Sequence, residues 1–183
     1  MKFPIDELTR KQARTPHELA MVNLLVANLM LCGGILASTM ARKGSLLDHY
    51  KVWLIAVPFA ISFAFIAYSV RRAKQALAGG PWFPAMHWQI TARHYRFLII
   101  AYGVGAALVG LGWLLSLSNP KLHDVMFVAL VRVAVAPVLI SIMVLAVLES
   151  SALSQAGGGE VPDRLTQRFP PPDDLSGIRG DAG

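Results

Sequence analysis

Four apolar stretches, residues 19–40, 52–70, 97–117 and 125–148, constrain this chain more than anything else in it. Each reaches the ~20 apolar residues that a helix needs to cross the ~30 Å hydrocarbon core of a bilayer. The expected fold is therefore all-α, an integral membrane four-helix bundle. Charge is segregated to match: apart from Arg132, every Lys, Arg, Asp and Glu lies outside or at the edge of the four stretches. Only 15% of residues are charged, against ~25% in an ordinary soluble protein. The chain divides into a leader (1–15), a four-span domain (16–150) and a tail (151–183). None of the remaining segments is large enough for a separate soluble domain.

Orientation follows from the basic residues, which collect on the cytoplasmic side of a membrane protein. The leader, the 71–96 connection and the tail together carry twelve Lys and Arg, whereas the two alternate loops carry four. Both termini are expected in the cytoplasm, and the bias suits a bacterial inner membrane. The net charge of +6 is accounted for by this topology, so it gives no reason to expect nucleic acid as a partner. The first apolar stretch exceeds the 7–15 residues of a signal-peptide core, and Asp6, Glu7 and Glu18 interrupt what precedes it, so a retained helix is expected.

Local signals set the expected element ends. Residues 1–14 read as a frayed leader or a short amphipathic turn at the membrane surface, presenting Phe3, Ile5 and Leu8. Thr15, Pro16 and Glu18 form a capping box, predicting that the first helix starts there. Ser45 and Asp48 repeat the pattern and predict a second helix from about Leu46. Pro58 removes one backbone donor and predicts a kink. Gly79-Gly80-Pro81-Trp82-Phe83-Pro84 reads as a loop in the headgroup layer, aromatics inward, with Arg and His toward anionic lipid. Asn119 and Pro120 read as the cap and first residue of the fourth helix. The Gly-, Pro- and charge-rich tail is expected to be disordered.

Small residues mark expected helix contacts. Gly33 and Gly34 in the first helix, and Gly103, Ala107 and Gly110 in the third, recur at spacings that let backbones approach closely in lipid. Cys32 has no partner cysteine and reads as a packing residue.

Arg132 is the only charge within a span. It lies nine residues into the fourth helix, ~13 Å deep at 1.5 Å per residue, where a cation costs ~2.5–3.5 kcal/mol on insertion scales. Asn28, Ser62 and the carbonyl of Val133, freed by Pro137, are candidate compensators within the chain. A group from another subunit is the alternative. Asn23 and Asn28 are five apart, hence on different helix faces, and read as interhelical glue. Among five histidines, His17, His87 and His94 on the inner side and His49 and His123 on the outer side offer the same-side pairs a di-haem bundle would need, with His17, His94, His49 and His123 as the candidate ligands. All lie at or beyond helix starts, too shallow to cover a macrocycle. No HExxH, Walker lysine or GxSxG motif is present, and no metal-ligand spacing.

The expected function is a non-catalytic accessory or scaffold subunit of a larger inner-membrane complex. It would contact the bilayer and either other membrane subunits or a second copy, with no cofactor. The alternatives are a small permease with an anion-selective midplane built from Arg132, Asn28 and Ser62, and a b-type cytochrome subunit holding haem.

Overall fold

The structure is a computed structural model and describes residues 1–118 and 123–175. Five helices occur among them: α1 (Glu7–Ser38), α2 (Leu46–Gly79), α3 (Trp82–Ser118), α4 (His123–Gly158) and the short α5 (Asp163–Arg168). The first four are long and apolar enough to cross a membrane. At 32 to 37 residues they exceed the ~30 Å hydrocarbon core by several turns, so polar ends project beyond it. Much of their apolar surface is exposed, Ile140, Met143 and Val147 among it, as expected where lipid rather than protein covers a helix.

Contacts divide the chain into two compact units. The first comprises Met1–Met21, Phe65–His94 and Val147–Gly183. Its core packs Phe3 and Ile5 against Phe83, Met86, Ile90, Ala156, Val161 and Leu165. The leader is therefore not frayed. Phe3 donates its N–H to the Gly159 carbonyl at 2.8 Å, Val161 donates to the Met1 carbonyl at 2.9 Å, and the N-terminal ammonium meets Asp163 Oδ1 at 2.9 Å. Gly159 makes the turn possible with φ +75, where a side chain would be strained and a Cβ would lie 2.8 Å from the Phe3 carbonyl. The tail to Leu175 is likewise structured, contrary to the expectation of disorder, and residues 176–183 lie outside the described set. Neither terminal segment carries enough apolar side chains to fold by itself. Each supplies what the other lacks.

Two further expectations fail in this unit for local reasons. The first helix starts at Glu7, not after Thr15, because Asp6 caps it: Oδ1 accepts the Thr9 N–H at 2.6 Å and Oδ2 accepts the Thr9 hydroxyl at 3.1 Å. Thr15 instead donates its hydroxyl to the Lys11 carbonyl at 3.4 Å, an intrahelical bond, and Pro16 lies within the helix. The 71–96 connection is helical except at Gly80 and Pro81. The Pro81 carbonyl accepts the Ala85 N–H at 3.1 Å, and Pro84 falls in the first turn, where a missing donor costs nothing. Met86, Trp88 and Ile90 are buried in protein.

The second unit comprises Val22–Ala64 and Tyr95–Ala146. α2 begins where Ser45 predicts, with its Oγ accepting the Asp48 N–H at 3.2 Å, and Pro58 is absorbed within one continuous helix. Glycines set the close approaches. A Cβ on Gly34 would lie 2.3 Å from the Leu54 carbonyl oxygen, on Gly105 3.0 Å from the Ala134 carbonyl, and on Gly112 3.0 Å from Leu130 Cβ. Gly33, Gly103 and Gly110 face nothing within 4 Å, and Ala107 is exposed. The seven-residue step from Gly105 to Gly112 is the packing stripe of α3, not Gly103, Ala107 and Gly110. The proposed cap at Asn119 and Pro120 lies outside the described residues.

Candidate functional site

The described acids lie at the edges of the four apolar stretches or outside them, and one of them is sealed. Glu149, at the end of the fourth apolar stretch, is 1% exposed and both its oxygens are occupied. As a carboxylate it accepts from His17 Nδ1 at 2.5 Å through Oε2 and from His94 Nδ1 at 2.9 Å through Oε1. The Thr91 hydroxyl lies 3.3 Å from Oε2 and 3.1 Å from His17 Nδ1. His17 Nε2 in turn meets His87 Nδ1 at 2.9 Å. His17, His87 and Thr91 are 0% exposed, whereas the His94 side chain is 18% exposed and is the only member of the group open to the outside.

Three helices build this centre. α3 supplies His87, Thr91 and His94 at steps of four and three residues, which align on one helical face. α1 supplies His17 and α4 supplies Glu149. Phe83 stacks edge-on against His87 at 4.9 Å and holds the ring from the far side.

The geometry leaves the position of one proton open. Between His17 Nε2 and His87 Nδ1 a single hydrogen is shared across 2.9 Å. With it on His17, that ring is an imidazolium paired with the Glu149 carboxylate. With it on His87, His17 is neutral and the positive charge passes to His87 unless that ring gives up a hydrogen at Nε2. The heavy atoms need not move between these arrangements. His87 Nε2 is buried without a hydrogen bond of full geometry, although the Glu160 backbone faces it. His94, Glu149, His17 and His87 are thus joined in a continuous file of hydrogen bonds, with one end reaching the surface.

The other polar groups expected to matter are accounted for differently. Residues 23–28 form a π-helical turn inside α1, which stacks residue 28 on residue 23. In an α-helix the two would lie ~140° apart at 3.6 residues per turn. Here Asn28 Nδ2 reaches the Asn23 carbonyl at 3.0 Å and its Oδ1 at 3.3 Å, so the asparagines share a face. Asn28 Nδ2 also donates to Ser62 Oγ at 3.0 Å, Ser62 and Tyr102 hydroxyls meet at 2.7 Å, and Tyr102 donates to Asn28 Oδ1 at 2.5 Å. That ring is closed on itself and has no spare donor for a ligand.

Arg132 joins neither group. Its side chain is exposed, and Nε donates to Thr39 Oγ1 at 3.1 Å, beside the terminus of α1. Arg132, Asn28 and Ser62 are not brought together. The long side chain reaches along its helix toward the end of a neighbour, as snorkelling allows.

Of the histidines proposed in haem pairs, His17 and His94 do meet in one cluster, but both His17 nitrogens are taken, so it offers none to an iron. His49 is exposed and packs edge-on against Tyr50 at 4.9 Å. His123 begins α4, and its side chain lies outside the described set. Among the described residues no group of three His, Cys, Asp or Glu is arranged to hold a metal ion.

From the sequence His87 is one more inner-side histidine and Glu149 one more charge at the edge of an apolar stretch, and Thr91 and Tyr102 carry no signal of their own. The 87–91–94 spacing was the available signal, and taking the segment as a loop hid it. The chain matches no family model, no curated protein sequence and no solved structure.

Proposed function

We propose that this chain is a multi-pass membrane protein that binds and relays protons at the Glu149 centre. One observation carries the reading: a sealed carboxylate has each oxygen on a histidine Nδ1, and one of those histidines touches the surface. Ionisable groups at or near membrane depth are costly, and files of Glu and His are what proton-moving membrane proteins use. The bias of Lys and Arg toward the leader, the 71–96 segment and the tail supports a bacterial inner-membrane location with both termini in the cytoplasm. In that topology the relay opens on the cytoplasmic side.

The test is proteoliposomes with a pH dye inside, together with infrared difference spectra of the same protein. The wild type is expected to take up protons and to show a reversible carboxylate band that Glu149→Gln removes. Identical uptake and spectra from that variant would end the proposal.

A second reading, an accessory subunit of a larger membrane complex, keeps one specific support. Gly103 faces nothing within 4 Å and Ala107 is exposed, so a small-residue face of α3 stays open to another helix. Arg132 no longer supports that reading, because its partner is Thr39 of the same chain. Co-purification in mild detergent separates the two: a stoichiometric partner lost in Gly103→Leu favours the subunit.

A further inference from the structure

We propose that a cleft of about 720 Å3 lined by Gln12, Thr15, Tyr68, Arg72, Gln75 and Trp88 binds the headgroup of an anionic phospholipid. The inference rests on the chain being membrane-spanning and is independent of the proton relay.

The chemistry of the cleft selects an anion. No acidic side chain lines it. Arg72 makes no ion pair among the described residues, and its guanidinium lies 5.8 Å from the centre of the Trp88 ring. A cation–π contact of that kind attracts the guanidinium without consuming an N–H, and the planar fork of an arginine suits the two oxygens of a phosphate. The side chains of Gln12 and Gln75 add neutral donors, and Arg71, exposed on the same helix, raises the local positive potential.

The position selects a lipid over a soluble anion. Arg72 follows the apolar stretch 52–70 by two residues, ~3 Å at 1.5 Å per residue, so it stands where hydrocarbon gives way to headgroups. Tyr68, one turn earlier, meets Trp88 edge-on at 5.8 Å. Tyr and Trp with an arginine beyond them are the side chains that favour this layer. A phosphodiester in the cleft would bond Arg72 while its acyl chains lie along the apolar part of α2.

The experiment uses the full chain in detergent, with bound lipid counted by native mass spectrometry. Phosphatidylglycerol and phosphatidylcholine are added in turn, and inorganic phosphate is the soluble competitor. Phosphatidylglycerol should be retained in preference to phosphatidylcholine. Arg72→Gln should weaken its binding about tenfold, as loss of one charge-assisted phosphate contact implies. Arg72→Lys should recover part of the loss, and Lys74→Gln, outside the lining, should change little. Gln75→Leu is a second probe within the lining, and elution as a single species shows each variant folded. Equal retention of both lipids, or equal losses in Arg72→Gln and Lys74→Gln, overturns the proposal. Displacement of the lipid by millimolar phosphate overturns it in favour of a soluble anion.

Discussion

Gly34 faces the carbonyl oxygen of Leu54 so closely that a methyl group in place of its hydrogen would lie 2.3 Å from that oxygen. Leu54 is four residues before Pro58, so its carbonyl lacks the N–H that would donate to it if another residue stood there. The glycine lets α1 close over that freed group, and a Cα–H contact is a weak but recurrent way to meet it. Gly34→Ala must push backbone rather than a flexible side chain. It should destabilise the protein by about 1–3 kcal/mol, as overpacking does. Gly33→Ala, with open space around it, should be near neutral. Thermal denaturation in detergent compares the two, and equal midpoints would show that the contact relaxes freely.

Arg132 bonds Thr39, which caps the end of α1 three residues before Arg42 and Lys43. The guanidinium therefore ends beside the terminus of α1. Thr39→Cys, which puts a thiol where the guanidinium ends, should react with a membrane-impermeant maleimide in sealed vesicles of the correct side. The native Cys32 is buried and should stay unlabelled. Arg132→Gln should shift stability by no more than ~0.5 kcal/mol, the range for surface positions. Absence of labelling would return the residue to the hydrocarbon.

The spans were legible in the sequence because hydrocarbon imposes one strong rule, length of apolar run, and nothing nearby competes with it. The segments between spans were not, because the same residues admit two readings. Pro81 and Pro84 break a helix or begin one, depending on whether the next turn has a face to bury. The face here is Phe83, Met86, His87 and Ile90, and its cover comes from Phe3, Ile5, Ala156 and Leu165, far away in sequence. Asn23 and Asn28 failed differently. Their shared face exists only because a π turn shifts the register, and no composition rule reports that. The Glu149 centre was invisible for both reasons at once: it needs the 82–96 helix and three segments converging on it.

Asp6 gives the start of α1 a pH dependence. The Thr9 backbone N–H, and next the Thr9 hydroxyl, hold its carboxyl below the ordinary value of 3.8. A depressed folded-state pKa stabilises the cap above the unfolded value, and that contribution is lost as pH falls through the folded value. Amide exchange in the first turn after Glu7 should therefore accelerate below about pH 4 in the wild type. Asp6→Asn should retain the cap geometry and flatten that dependence, while Thr15→Ala should leave the turn unchanged. A large effect from Thr15→Ala would move the helix start back to where the sequence suggested it.

Glu149 offers the sharpest separation between a structural and a proton-handling role, because its variants affect the two differently. Glu149→Leu strips the acceptor from both His17 and His94 and leaves the buried His17 ring N–H facing carbon. Breaking a buried pair on one side costs about 3–5 kcal/mol, so a steep loss of thermal stability is expected. Glu149→Gln keeps the volume and one oxygen. Its amide N–H2 then opposes one histidine N–H, which that ring can relieve by exchanging its tautomer. Stability should fall less, while the side chain can no longer take up a proton. His94→Ala leaves the contact between His17 and Glu149 in place and removes the surface-facing carrier, so it should slow proton uptake without a comparable loss of stability. If slowing in His94→Ala and Glu149→Gln instead tracks the fall in melting temperature, the cluster is a structural pin and not a relay.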